Sequence, residues 1–153
     1  MSQKPSTAPQ PAAIARQIEE ELRYTGMISN LFGFPFVCTE DDLDEYDLKE
    51  WYAIKPQSTV GCITHIAITE MQEFIEENKL QWDVLINNHD SMLLQCPEEE
   101  EVECGRKSME FMQQKLVSPR GEHFQMKAEC QSGRNWSPYK EHKNPEGLKT
   151  LRL

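Results

Sequence analysis

The stretch Asp83 to Glu101, DVLINNHDSMLLQCPEEEE, constrains this chain more than any other. Two short apolar runs flank a polar knot, Asn87-Asn88-His89-Asp90-Ser91. So few residues between two strand-like runs leave room only for a hairpin. Both runs carry apolar residues on both faces, as central strands do. A hairpin of this kind puts His89 and Asp90 at its tip, where a strand end holds a side chain more rigidly than a loop does. A carboxylate placed there suits Mg²⁺, which prefers hard oxygens and keeps waters or substrate phosphates in its other positions. The same residues also suit an ordinary turn, since Asn and Asp tolerate turn geometry. The pattern alone leaves both readings open.

The remaining segments place this hairpin among helices. Residues 1–12, rich in Pro, Ser and Gln, read as a flexible lead-in. A helix is predicted from about Pro11, with Ile14, Ile18 and Leu22 recurring on one face and Gly26 as its stop. The acidic CTEDDLDEYDLKE reads as a solvated loop. Val60, Ile63, Ala67, Met71 and Phe74 form one helical stripe, with Ser58 or Thr59 near the expected helix start. After the hairpin, Pro97 and the run Glu98 to Glu101 are predicted to open another helix, where negative charge meets the dipole. Val102, Gly105, Met109, Met112 and Leu116 would be its buried stripe. FQMKAECQ alternates cleanly and predicts a strand with one wet face, and the last residues read as turn and tail. The expected class is α+β: a small antiparallel sheet, the hairpin plus one further strand, packed by about three helices.

Composition limits the function classes. Five scattered cysteines in 153 residues, with no C-x-x-C pair, argue for reduced thiols inside a cell and against a zinc site. No apolar run approaches the length of a membrane span. The formal net charge of −10 argues against a self-sufficient nucleic-acid binder, which usually carries a basic face. Arg134 and Lys140 read as surface charge.

Four segments, in order, resemble the C-terminal part of family A DNA polymerases, the DNA polymerase I-like group, in its phage-type form. IEEELRYTGMISNLFG resembles the helix and turn that follow the fingers helix. KPQSTVGCI resembles the start of the long palm helix. NNHDSMLLQCPEEE resembles the third polymerase motif, a His-Asp pair at a hairpin tip, and FQMKAECQSGRNW resembles the closing palm strand with its G-x-x-W end. The resemblance runs from about Ile14 to Lys140. It implies residues 13–54 as the fingers-to-palm connection, 55–140 as the C-terminal palm subdomain and 141–153 as a tail.

The resemblance implies nucleotidyl transfer in DNA replication through two Mg²⁺ ions, on a DNA primer-template and a dNTP. Asp90 would be one of the two metal-binding carboxylates, and His89 would lie beside the primer terminus. Gln57 would face the minor groove of the new pair, and Lys55 would contact phosphate. Ser91 stands where the family often has Glu, so an accessory carboxylate is missing. Phe34-Pro35-Phe36 replaces a basic cluster, and Ala53 replaces a polar residue ahead of Gln57. The family's other metal-binding Asp and its fingers helix find no counterpart among these residues. The expectation is therefore a fragment or split subunit, inactive until an N-terminal polymerase chain supplies both. It would work in the cytoplasm of a bacterial or phage-infected cell. An inactive remnant or accessory DNA-binding protein, and an unrelated acidic interaction module, are the alternatives.

Overall fold

The computed structural model describes residues 11–38, 47–117 and 121–153. Most of the expected lead-in and the middle of the acidic segment after Cys38 lie outside the described residues. The chain divides into two compact units, residues 1–59 and 60–153. The class is α+β, with three α-helices and small antiparallel sheets among the described residues.

In the first unit, α1 runs Pro11–Thr25 and ends where Gly26, at φ +68°, donates its N–H to the Leu22 carbonyl at 2.8 Å. Ile18 and Leu22 are buried, whereas Ile14 faces solvent. Strands β1 (Met27–Ser29) and β2 (Pro35–Val37) then pair antiparallel. Their connection is organised by the buried Asn30, whose Oδ1 accepts from the N–H groups of Phe32 and Phe34, each at 3.0 Å. Ile18, Leu22, Ile28, Cys38 and Trp51 form the core of this unit.

Trp51 explains the first departure from expectation. The long helix α2 spans Asp47–Asn78 and passes straight through Pro56, instead of starting near Ser58. A proline there removes one helical hydrogen bond and disfavours helical backbone at Lys55. Burial of Trp51, with Tyr52 and Ile54 packed on the same core, outweighs that cost and carries the helix back toward Asp47. Ser58 and Thr59 are therefore not caps. Their hydroxyls donate to the Lys55 carbonyl, at 3.3 and 2.7 Å, and Thr59 Oγ1 also accepts from the Leu31 N–H at 3.3 Å. Thr59 thus ties the β1–β2 connection to the helix.

In the second unit, the later part of α2 buries Ile63, Ala67 and Met71, as the stripe predicts. Met71, Ile75, Trp82 and Cys104 form the core, joined by Phe74, Val84, Met92 and Phe111. Strands β3 (Asp83–Asn88) and β4 (Ser91–Gln95) make the expected hairpin, paired from Asp83↔Gln95 to Asn88↔Ser91. They are not central strands, however. Among the described residues the pair forms a sheet of its own, with Leu85 51% exposed and Ile86 38% exposed.

A 3-10 turn, Glu98–Glu100, leads into α3, Glu101–Met112. The acidic run therefore does open a helix. Gly105 is buried as the stripe predicts, with Cys104 beside it, while Val102 is exposed. Trp82 donates its indole N–H to a Glu100 carboxylate oxygen just before this helix. Leu116 is buried from β5 (Lys115–Val117), beyond the helix end. Strand β6 covers only His123–Gln125 and pairs with β5, not with the hairpin. Residues 126–130 of FQMKAECQ lie outside the strands, and the alternation survives as half-buried Ala128 and Cys130 between exposed neighbours.

The final segment is more ordered than a turn and tail. Strands β7 (Gln131–Ser132) and β8 (Lys149–Thr150) pair, and between them the chain closes into a knot. The side-chain amides of Asn135 and Asn144 exchange two hydrogen bonds of 3.0 Å each. Backbone bonds from Arg134 to Glu146, Tyr139 to Leu148 and Leu148 to Ser137 lace the loop together. Gly133 and Gly147 touch: a Cβ on Gly133 would sit 2.7 Å from the Gly147 carbonyl carbon. No described helix is long and apolar enough to cross a membrane.

The knot yields a prediction of unusual sign. Replacing a loop glycine by alanine often stabilises a protein by stiffening the unfolded chain. At Gly147 a Cβ would strike the Asn144 amide and the Ser137 carbonyl oxygen and lie 2.7 Å from the Pro138 carbonyl carbon. Gly147→Ala is expected to destabilise by about 1–3 kcal/mol, the usual cost of overpacking. Urea unfolding of both proteins checks this; an unchanged or raised midpoint would contradict the packing described.

Candidate functional site

His89 and Asp90 form a two-residue turn between Asn88 and Ser91, and its backbone is unusual. His89 sits at φ +54°, in the left-handed region. The Asp90 N–H donates to the Asn88 carbonyl at 2.6 Å. A bond from residue i to i+2 across a positive-φ centre is the tight three-residue γ-turn, a rare and strained form. Asn-Gly or Asp-Gly would make this reversal without that strain. A strained, non-glycine tip persists only where the structure around it holds it, and such sites are enriched at functional positions.

The strands below supply that hold. Val84, Met92 and Leu94 are half-buried against the Met71–Trp82 core, which anchors the base of the hairpin. Between Val84 and Ile86 the register shifts, leaving Leu85 as a bulge. A bulge adds local twist and re-aims the residues beyond it. Here those residues are the exposed tip, Asn87 to Ser91. Ser91 Oγ lies 3.4 Å from the Asn88 carbonyl, as donor, and so helps close the turn.

Asp90 and Ser91 line an open cleft of about 880 Å³ within the second unit. Arg134 and Trp136 of the knot line it as well, as do Glu98 and Glu101 at the start of α3. Cys96, Cys104 and Cys130 also contribute to its lining. His89 is at the tip but is not part of this lining. Lys55 and Gln57 belong to the first unit. Lys55 pairs with Glu21 at 3.2 Å, and Gln57 is exposed on α2, ten residues into the helix and not at its start. Sequence reasoning missed Arg134 and Trp136 as cleft residues. The exposed tryptophan was the available signal, because a Trp outside an apolar pattern has no core to enter.

Among the described residues, no group of three or more His, Cys, Asp or Glu side chains could hold a metal ion. The donor set therefore fits a shared site at most. Asp90 offers one hard carboxylate at the tip. The cysteines do not alter this. All five are thiols. Burial pushes the Cys104 thiol up to about 12, with Cys96 beside it adding to the effect, and burial raises Cys96 and Cys130 too. A thiol kept protonated is a poor nucleophile and a poor metal ligand.

The sign of the pH effect follows. The Cys104 thiol keeps its proton in the folded state up to about 12, whereas an unfolded thiol releases it near pH 8.5. The folded state then binds more protons above that value. Stability from this group is complete below about pH 8.5 and is lost as pH rises toward about 12. Cys104→Ser is expected to flatten that decline in denaturant titrations. In the native protein at pH 8, thiol-specific labelling should reach Cys104 last; early labelling of Cys104 would contradict its burial.

No protein-family model matches this chain, and no curated protein matches it in sequence. Solved structures do match. The chain is similar to the POL domain of Pol1 from M. smegmatis, in complex with DNA primer-template and dNTP, with a TM-score of 0.57 and 20% sequence identity. The match covers 64% of this chain and 18% of that one, so the likeness is to a minor part of the larger protein. At this identity the likeness is one of fold: over that share of its length the chain is built like part of a DNA polymerase.

Proposed function

We propose that this chain supplies the C-terminal palm portion of a family A, phage-type DNA polymerase, with Asp90 as one of two carboxylates for nucleotidyl transfer. The observation that carries this reading is the Asp90 carboxylate beside a strained tip, on a cleft wall, in a polymerase-like fold. Mg²⁺, when bound, would stabilise the attacking and leaving oxygens of the transfer. Asp90 would orient that centre from the hairpin turn. His89 would stand beside the primer terminus, and Ser91 closes the turn behind them. Gln57 would meet the minor groove of the new base pair. Lys55 is a weaker candidate for a phosphate contact, since Glu21 already holds its ammonium.

One carboxylate does not complete a two-metal site. The reading therefore requires an N-terminal polymerase portion to bring the second aspartate and the fingers, with primer-template and dNTP as substrates. Cytoplasmic replication of bacterial or phage DNA is the setting that fits.

The test is primer extension by this chain mixed with a separately expressed N-terminal portion, in Mg²⁺. Synthesis is expected only in the mixture. Asp90→Ala should lower it by a factor on the order of 10²–10³ or more, as when a main electrostatic stabiliser is removed. Stability should stay within about 0.5 kcal/mol, because Asp90 is exposed. Synthesis undiminished by Asp90→Ala would overturn the assignment. His89→Gly separates strain from function. Glycine relieves the positive φ, so it should stabilise the fold by up to about 1 kcal/mol while lowering synthesis. A loss of stability would mean that His89 serves the fold.

A further inference from the structure

The five thiols are scattered in the sequence, but three of them converge in the second unit. Cys96 directly follows β4, at the root of the hairpin, and Cys104 lies on the buried face of α3. Both line the cleft, as does Cys130. Cys104 belongs to the core, at 4% exposure, and half-buried Cys96 packs against that core. Their thiols share a side-chain hydrogen bond. Cys130 comes near through Gly105, the residue after Cys104, where a Cβ would sit 3.2 Å from its Sγ. Its own thiol is directed to the Gln131 carbonyl oxygen, at 4.0 Å.

A single buried cysteine packs as a small apolar residue and calls for no further explanation. Two thiols in contact, one on a cleft and the other behind it, are a different arrangement. The outer thiol is placed to meet a reagent, and the inner one is placed to displace it. Two sulfurs already in hydrogen-bond contact have only a short way to close to the ~2.05 Å of an S–S bond. Nothing in the role proposed for Asp90 uses either thiol.

We propose that Cys96 and Cys104 form a reversible dithiol–disulfide modification site, oxidised by a low-molecular-weight disulfide that enters through the cleft. In the first step the Cys96 thiolate attacks one sulfur of the reagent R–S–S–R. The reagent's S–S bond breaks, and R–S⁻ leaves and takes up a proton to match the one Cys96 released. In the second step the Cys104 thiolate attacks Cys96 Sγ in the mixed disulfide, and the other R–S⁻ leaves as its thiol. Two protein thiols are thereby oxidised to one disulfide, and the reagent is reduced to two R–SH. Burial raises both thiols, with the Glu101 and Glu100 carboxylates adding to the effect at Cys96. Thiols held protonated attack slowly, and they also leave slowly when the bridge is reduced. The pair therefore acts as a slow latch. Closed, it joins the end of β4 covalently to α3, so the root of the hairpin that presents Asp90 no longer moves against the helix beside it. Inside a cell, disulfides of this kind are formed and reversed and are not permanent staples.

The test treats the full native chain with hydroxyethyl disulfide at about pH 8.5, where thiolate is accessible. This reagent is uncharged, so the carboxylates lining the cleft do not repel it. The expected product is a monomer lighter by two hydrogens, and peptide mapping should show Cys96 linked to Cys104. Cys104→Ser should stop at a mixed disulfide on Cys96, and Cys96→Ser should give no bridge. Cys130→Ser should form the bridge as the wild type does. The oxidised protein should unfold at a higher urea concentration, because the bridge closes the loop of seven residues between the two cysteines in the unfolded chain. Dithiothreitol should restore both thiols and the original midpoint. A stable mixed disulfide on wild-type Cys96, a bridge to Cys130 or between chains, or a urea midpoint that does not rise would overturn the proposal. The readouts are covalent and do not involve DNA synthesis, so Asp90→Ala should leave them unchanged and the catalytic reading stands or falls separately.

Discussion

Trp82 is the group on which the second unit depends. It is 2% exposed and stands immediately before β3. Its ring meets Phe74 of α2 at a centroid distance of 6.1 Å, and its indole N–H is bonded to Glu100 at the entry to α3. One side chain therefore joins the end of the long helix, the root of the hairpin and the start of the next helix. Indole burial supplies the apolar contribution, and the bonded N–H keeps that burial from leaving a polar group unsatisfied. Everything that places the hairpin tip is downstream of this joint. The base of β3–β4 is fixed by Val84, Met92 and Leu94 on the same core, while the tip projects beyond it.

That division explains the hairpin's uneven burial. Its lower half behaves as a core element and its upper half as a presented loop, with Leu85 displaced as a bulge at the boundary. A hairpin built only for stability would extend its core face to the turn and close on Asn-Gly. This one instead accepts a strained His89 and exposed Leu85 and Ile86. Exposed apolar residues on an unextended sheet are an edge that usually needs covering.

What was legible in the sequence was what periodicity records. Ile18 with Leu22, and Ile63, Ala67 and Met71, fall on buried faces as their spacing requires, and the polar knot at Asn87–Ser91 marks the hairpin turn. The errors arise where a non-periodic interaction decides. Ser58 and Thr59 suggest a helix start, but burial of Trp51 carries the helix through Pro56 and back to Asp47. Val102 is expected inside because it matches a stripe, yet it is exposed, and Cys104 joins Gly105 on the buried face. The tip could be located from sequence, but its strain could not, because a histidine, unlike a glycine, does not mark a positive φ. The C-terminal knot was illegible for a related reason. Its order comes from paired asparagine amides and touching glycines, which read as turn composition until their partners are known.

The same contrast applies to charge. A net value of −10 weighs against nucleic acid only if the charge is spread evenly, and here it is not. Exposed charges more than about 10 Å apart are largely screened at ordinary ionic strength. What a ligand meets at the cleft is therefore set by its lining and not by the total: Asp90, Glu98, Glu101 and Glu129 stand there with Lys127 and Arg134, and Glu98 holds Arg134 in an ion pair.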